Sequence, residues 1–337
     1  MQALGDFIDG SFVAPKGTAL TSTNPAKNEE VVFETAYSVD RVADAANAAH
    51  HASKAWCALD REQRFESLIS LREAIAARRS ELVDAIVLET GKLRSEANGE
   101  VGALIGRFNM VKAAVETDLV EGQVAGFPGE QMRYHPLGVV GVIGPFNYPL
   151  HLCHAHTIPA LLMGNAVVVK GSEITPLCAQ VYAQAVADSD LPAGVFNMVQ
   201  GKGETGAALA AHSHVRGLCF TGSYRVGRKI SEAALERPEL LVALEMGGKN
   251  TVVVAEDADL RQAAHEIVVG GYLTTGQRCT CTDRVLVHAS RRAELLEALV
   301  PMVRSLQFGD PDSPDSFAGP LATMAGLEAF EAATAAA

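Results

Sequence analysis

Short apolar runs alternate with helix-like segments between residues 138 and 254, and this alternation restricts the possible folds more than any other feature. The runs predicted to be strands are 138–143, 166–170, 196–199, 217–220, 240–244 and 251–254. Strands that alternate with helices form a parallel sheet flanked by helices. Ligands of such sheets bind beyond the carboxyl ends of the strands. The sequence therefore predicts an α/β fold with its functional residues directly after the strands.

The region before residue 138 is predicted to be mainly helical. Residues 7–12 are expected to form a short hairpin and residues 24–26 a turn. Helices are predicted over 39–56, 61–79, 81–90 and 95–116, with Ser38 and Ser80 as N-caps and Gly91 just past the third helix. Three acidic residues of these helices, Glu89, Glu96 and Glu100, are interpreted as solvated charges, because charged residues are seldom buried.

Composition limits the class of protein. A chain of 337 residues exceeds one simple core and suggests two domains. The net charge of −12 argues against non-specific binding to nucleic acid and against an anionic membrane surface. The six cysteines show neither CxxC pairing nor zinc-ligand spacing, so neither a disulfide framework nor a metal site is expected. No long apolar span or leader-like N-terminus is evident, so the cytoplasm is the expected compartment.

Residues 271–281 form a Gly-flanked loop that contains two cysteines, Cys279 and Cys281. The loop follows a helix-like segment and precedes a strand-like run at 284–288. Free cysteines are usually buried and inert, whereas a nucleophilic cysteine needs a base and an exposed position. From the loop alone, a structural and a catalytic role both remain open.

Polar residues follow three of the predicted strands. The Asn147 amide could donate to a developing oxyanion or could simply occupy a turn between two prolines. Lys170 and Glu173 could hold the hydroxyls of a ribose, where a carboxylate would repel a 2′-phosphate and favour NAD, or could form an exposed charged turn. Glu245 ends an apolar run, where burial would raise the pKa of its carboxyl group and suit it to act as a general base.

A Gly-x-x-x-x-Gly turn leads into the helix after the strand at 217–220. It comprises Gly222, Ser223, Tyr224, Arg225, Val226 and Gly227. The turn is neither a GxGxxG fingerprint nor a Walker A loop. Backbone N–H groups at a helix start, together with the Ser223 hydroxyl, would suit a pyrophosphate.

Taken together, these residues resemble the aldehyde dehydrogenase superfamily. The motifs that agree are Gly144-Pro-Phe-Asn147, Lys170-x-Ser-Glu173, Phe220-Thr-Gly-Ser223, Glu245-Met-Gly-Gly-Lys249 and Gly276-Gln-Arg-Cys279. The 34-residue separation of Glu245 and Cys279 and the 23 residues from Asn147 to Lys170 also match that family. The resemblance covers essentially the whole chain. It implies a Rossmann-like NAD-binding domain with N-terminal helices over 1–246 and part of a second α/β catalytic domain over 247–337.

The resemblance also implies a role for each residue. Cys279, preferred over Cys281, would attack the aldehyde, Asn147 would stabilise the oxyanion, and Glu245 would activate water. Lys170 and Glu173 would hold the adenine ribose of NAD, and residues 222–227, chiefly Ser223, its pyrophosphate. The stretches 156–162, 199–206 and 276–281 most resemble the branch that oxidises N-succinylglutamate 5-semialdehyde in arginine catabolism.

Two departures from the family pattern qualify these expectations. Gly171 stands where the family usually has proline, which loosens the turn after Lys170. The sequence also lacks a Glu-x-Phe-Gly-Pro motif, which in relatives holds the nicotinamide ribose. It lacks as well the strand that in relatives pairs across the homo-oligomer, although a homo-oligomer is expected of the family. A truncated, non-catalytic homologue that binds nucleotide or a partner chain is therefore the alternative hypothesis. A CoA-acylating dehydrogenase is disfavoured, because Glu245 would divert the thioester to water.

Overall fold

The computed structural model describes residues 1–27, 30–119, 121–123, 127 and 129–336 of the chain. The strands are β1 (Asp6–Ile8), β2 (Ser11–Val13), β3 (Thr18–Asn24), β4 (Glu30–Tyr37), β5 (Gly122–Gln123), β6 (Gln131–Met132), β7 (Val139–Ile143), β8 (Ala166–Lys170), β9 (Phe196–Val199), β10 (Val215–Gly222), β11 (Leu241–Met246), β12 (Asn250–Val254) and β13 (Thr282–Val287). The helices are α1 (Arg41–Ala58), α2 (Arg61–Ala77), α3 (Arg79–Thr90), α4 (Arg94–Asp118), α5 (His151–Leu162), α6 (Pro176–Ala187), α7 (Gly203–Ala211), α8 (Tyr224–Ala234), α9 (Leu260–Tyr272), α10 (Arg292–Ser305) and α11 (Met324–Ala335). None of the described helices is long and apolar enough to cross a membrane.

The predicted parallel sheet is confirmed. Its order is β11-β10-β7-β8-β9-β1-β2, and β7 to β11 pair in parallel whereas β1 and β2 form an antiparallel hairpin at one edge. Every residue of β8 is buried because helices cover both faces of the sheet. Val167 and Val169 pack into one hydrophobic cluster and Ala166 and Val168 into the other, as the two-residue period of a strand requires.

A smaller unit follows the large sheet. Strands β12 and β13 form a separate parallel pair, and α9 and α10 pack on one of its faces around Val254, Ile267 and Leu295. The large sheet ends at Met246 and the next strand begins at Asn250 in the other sheet. The division into domains at 246/247 remains a prediction that this change of sheet supports.

Several local predictions for the N-terminal region need correction. Helix α1 begins at Arg41, after Asp40, so Ser38 does not cap it. Helix α3 begins at Arg79 and therefore contains Ser80, although Gly91 ends it in the expected left-handed conformation, with φ of 70°. The prediction lacks the antiparallel pair β3–β4, because β3 is mostly polar and shows no strong apolar alternation.

The interpretation of Glu89 and Glu100 as solvated charges is wrong. Glu89 is 0% exposed, and its carboxylate accepts hydrogen bonds from the N–H groups of Leu177 (2.9 Å) and Cys178 (2.8 Å) at the start of α6. Glu100 is 3% exposed and accepts from the N–H groups of Leu150 and His151, both at 3.1 Å, at the start of α5. A helix start has unpaired N–H groups and a partial positive charge, which compensate a buried carboxylate.

Burial of Glu89 predicts a specific pH dependence of stability. Burial raises the pKa of Glu89 from 4.5 to about 7. The folded protein therefore binds a proton that the unfolded chain has already lost, and this contribution to stability decreases as pH rises from about 4.5 to about 7. In the Glu89→Gln variant the side chain is neutral throughout. When the pH is raised from 5 to 8, we expect the free energy of unfolding of the wild type to fall by about 2 to 3 kcal/mol more than that of the variant. Urea denaturation at the two pH values measures this difference.

The control for this prediction is Glu66→Gln, because Glu66 is an exposed carboxylate on the neighbouring helix α2. Its difference from the wild type should be the same at both pH values. A Glu89→Gln difference that does not change with pH would mean that Glu89 is ionised in the folded protein over the whole range.

Candidate active site

The cysteine loop begins where α9 ends. A 3₁₀ turn, Leu273–Gly276, leads into it, and Thr274 and Thr275 adopt left-handed conformations with φ of 55° and 56°. Cys279 is exposed, whereas Cys281 is buried and its burial raises the pKa of the thiol. The loop therefore presents Cys279 and withholds Cys281, which agrees with the preference for Cys279.

Two asparagine side chains donate hydrogen bonds to backbone carbonyl groups of the loop. The Asn250 Nδ2 donates to the carbonyl oxygens of Cys279 (2.7 Å) and Cys281 (2.8 Å). The Asn147 Nδ2 donates to the carbonyl oxygen of Gln277 at 2.6 Å. The structure thus brings Asn147 to the turn that carries Cys279, although the residues are far apart in sequence. The Asn147 amide carries a second N–H, which has no acceptor among the described residues and is available to donate to a substrate oxyanion.

Glu245 lies on β11, level with Thr221 of β10. Its side chain is exposed, so the burial that was expected to tune it as a base is not found. Its notable neighbour is His156 of α5, whose Nε2 lies 3.4 Å from the Thr221 hydroxyl. Burial lowers the pKa of His156, and the negative charge of Glu245 opposes that shift. No role for His156 was predicted, because its proximity to Glu245 arises only from the packing of α5 against the sheet.

Lys170 and Glu173 meet at the end of β8. The Lys170 side chain is only 4% exposed, and its Nζ lies 3.2 Å from Glu173 Oε2. The Glu173 side chain is 45% exposed, so its carboxylate combines one internal hydrogen bond with access to solvent. An exposed charged turn does not describe Lys170. The pair instead offers an anchored carboxylate that can accept hydrogen bonds from a ligand's hydroxyl groups.

Residues 222–227 run from the last residue of β10 into the first turn of α8. The Ser223 Oγ accepts from the Val226 N–H at 3.4 Å and caps the helix. The N–H groups of Tyr224 and Arg225 have no acceptor among the described residues. A Cβ atom at position 227 would lie 2.4 Å from the Met246 sulfur, so glycine allows the helix start to approach β11 closely. The open N–H groups can bind an anion.

A chain of polar contacts ties the cysteine loop to helix α4. Arg278 donates to Glu96 at 3.1 Å and to the Thr274 hydroxyl at 2.7 Å. The Tyr148 hydroxyl lies 3.3 Å from the same Thr274 oxygen, and the Lys92 ammonium lies 3.3 Å from the centre of the Tyr148 ring. Glu96 is therefore the third acidic residue wrongly interpreted as solvated. Sequence patterns contain no signal for this network, because its members come from three distant segments.

The model of the aldehyde dehydrogenase family matches residues 12–337. Over 327 residues the chain is 38% identical to N-succinylglutamate 5-semialdehyde dehydrogenase of Chromobacterium violaceum, covering 96% of this chain and 67% of the relative. A structure of aldehyde dehydrogenase C from Pseudomonas syringae, with NAD+ and octanal, superposes with a TM-score of 0.92 at 33% identity, over 98% of this chain and 68% of that one. An NADP dependent enzyme of E. coli superposes with a TM-score of 0.90 at 28% identity, over 98% and 69%. The chain thus spans about two thirds of the length of the proteins it matches.

Proposed function

Because this chain belongs to the aldehyde dehydrogenase family, we propose that it oxidises an aldehyde to a carboxylic acid through a thioester on Cys279. The observation that carries the proposal is the geometry of the cysteine turn. Cys279 is exposed at its tip, and the Asn147 amide reaches the same turn. An accessible thiol beside a fixed N–H donor is the arrangement that attack on a carbonyl carbon requires.

Each step is assigned to residues of this chain. The Cys279 thiolate adds to the aldehyde carbon, and Asn147 Nδ2 and the Cys279 N–H stabilise the oxyanion that forms. A bound nicotinamide dinucleotide supplies the acceptor for the hydride that leaves this carbon. Glu245 then takes a proton from water, which attacks the thioester, releases the acid and regenerates the thiolate. The exposed position of Glu245 allows water to reach it.

We propose NAD as the preferred cofactor. The open N–H groups at the start of α8 fit a pyrophosphate, and the anchored Glu173 carboxylate fits ribose hydroxyls. A ribose that carries a 2′-phosphate would bring a second negative charge close to Glu173, which disfavours NADP by about 1 to 2 kcal/mol.

Glu173→Gln should therefore change the choice of cofactor. The neutral amide still offers an oxygen to a hydroxyl but no longer repels phosphate. We expect the ratio of kcat/KM for NADP to that for NAD to rise about tenfold. Glu66→Gln, on the exposed face of α2, is the control and should leave the ratio unchanged. An unaltered ratio in Glu173→Gln would remove this residue from cofactor selection.

We propose N-succinylglutamate 5-semialdehyde as the substrate, which places the reaction in arginine catabolism. The name of the curated relative supports this choice. A catalytic thiolate also requires reducing conditions, and all six cysteines are free, so we propose the cytoplasm as the compartment. The test is NADH formation from this aldehyde and NAD by the purified chain. Activity with a range of other aldehydes but not with this one would refute the substrate assignment.

A second candidate function is nucleotide binding without turnover. The exposed position of Glu245 favours it, because the carboxylate is not enclosed in a site that excludes bulk water. Calorimetry with NAD distinguishes the two. Heat of binding without NADH formation in the presence of aldehyde would support the second candidate. Association of identical chains also remains a prediction and can be measured by sedimentation in the same samples.

A further inference from the structure

Arg107 of α4 is a half-buried cation that forms no ion pair with any residue that the structure describes. Its Nη2 lies 3.1 Å from His151 Nε2, and among the described residues no carboxylate lies within ion-pair distance of its guanidinium. Two other cations, one just before α4 and one in the cysteine loop, are paired with carboxylates. Lys92 lies 2.7 Å from Glu100, and Arg278 lies 3.1 Å from Glu96. The positive charge of Arg107 is therefore not neutralised by any carboxylate of the described residues.

The contact with His151 shows that Arg107 is short of acceptors. Because Arg107 donates to Nε2, a neutral His151 carries its proton on Nδ1. The buried Arg107 Nε and His151 Nδ1 have no hydrogen-bond partner among the described residues. Burial lowers the pKa of both side chains, and the Arg107 charge lowers that of His151 further. Such an arrangement is costly unless an anion approaches the open end of the guanidinium.

Arg107 contacts His151, the first residue of α5, and this helix closely follows Asn147 in the chain. His151 is about one helical turn's worth of sequence, from 147 to 151, after Asn147. Its ring lies 6.4 Å from the ring of Tyr148, whose hydroxyl lies 3.3 Å from the Thr274 hydroxyl in the cysteine loop. The positive charge of Arg107 also lowers the pKa of His156, and the negative charge of Glu245 raises it. Arg107 is therefore close to the start of α5, the helix that follows Asn147 and carries both His151 and His156.

We propose that Arg107, oriented by His151, binds a carboxylate of the substrate and makes the enzyme selective for acidic aldehydes. This inference rests on the proposed function, since it names the substrate class of the same site. Arginine suits the task because its planar guanidinium donates two parallel hydrogen bonds to one carboxylate. A bound carboxylate neutralises the charge of Arg107, whereas an uncharged aldehyde leaves this charge unpaired.

The test compares aldehydes of four, six and eight carbons, each with and without a terminal carboxylate, and includes N-succinylglutamate 5-semialdehyde. In Arg107→Gln, kcat/KM for the best carboxylated aldehydes should fall about 30- to 100-fold, mainly through KM. The uncharged aldehydes should change less than about threefold. Arg107→Lys should retain part of the preference, since it keeps the charge but not the paired donors. Arg304→Gln, an exposed arginine on α10, is the control and should behave as the wild type.

An equal loss for charged and uncharged aldehydes would mean that Arg107 only supports the fold, and no loss for either would exclude it from the site. A binding measurement makes the test independent of turnover. The carboxylate product N-succinylglutamate is titrated calorimetrically into Cys279→Ala and into Cys279→Ala/Arg107→Gln. We expect at least about tenfold weaker binding in the second protein. If the wild type forms no NADH, the proposed function fails, and equal product affinity in the two variants then overturns the inference separately.

Discussion

Replacing Cys279 by alanine is expected to reduce NADH formation by about 10⁴-fold or more, because the variant cannot form the thioester on which every later step depends. Cys279 is exposed at the tip of its turn, and its side chain makes no hydrogen bond within the described chain. The substitution should therefore leave the fold intact, with a thermal midpoint within a few degrees of the wild type. Binding of NAD should also persist, since the proposed nucleotide site lies at β8 and α8.

The matched control is Cys281→Ala, two residues further along the same turn. Cys281 is buried and Asn250 holds its backbone carbonyl, so the thiol itself is withheld from substrate. Removing one buried sulfur costs about 1 kcal/mol of stability but should preserve most of the activity. Full activity in Cys279→Ala, or complete loss in Cys281→Ala with an intact fold, would reverse the assignment.

The second large effect concerns Glu245. In Glu245→Gln, oxidation can proceed but the thioester is hydrolysed slowly, because the amide cannot accept the proton of the attacking water. We expect a burst of NADH equal to the number of active sites, followed by a steady rate reduced about 10²- to 10⁴-fold. Rapid-mixing absorbance measurements separate the burst from the steady rate.

Glu236→Gln supplies the control, as an exposed carboxylate close to β11 in the chain. It should show the kinetics of the wild type. If Glu245→Gln shows neither a burst nor a slower steady rate, then Glu245 is not the hydrolytic base. His156, which lies next to it, would then be the first residue to replace.

The sheet could be predicted because its signal is local. Strands β8 and β9 are apolar runs whose bounds coincide with the prediction, and a helix begins next to Ser223, as predicted. Parallel strands with both faces covered need continuous apolar sequence, and such runs are visible without any tertiary information.

Buried charges could not be predicted, because their partners are distant in sequence. Glu89 bonds to an N–H group 88 residues away and Glu100 to one 50 residues away. The Arg107 contact with His151 spans 44 residues. A carboxylate on a polar-looking helix face gives no sign that the start of another helix will pack against it, so exposure was the natural but wrong expectation.

The burial of Glu245 was overestimated for a related reason. An apolar run such as Leu241–Met246 predicts a strand but not its position in the sheet. Among the described strands β11 lies at the edge of the large sheet and pairs with β10. A residue near the end of an edge strand has fewer neighbours than one in the centre, and its side chain is correspondingly exposed.

Mass spectrometry of Glu245→Gln, quenched in acid during the burst, can detect the thioester between the substrate and Cys279. Trypsin releases both loop cysteines on one peptide, Cys279–Arg284, so fragmentation must locate the added mass. We predict one acyl group per chain, with the mass of the oxidised aldehyde, on Cys279 and none on Cys281. An unmodified peptide despite NADH formation, or the acyl group on a different cysteine, would show that the reaction does not pass through a thioester on Cys279.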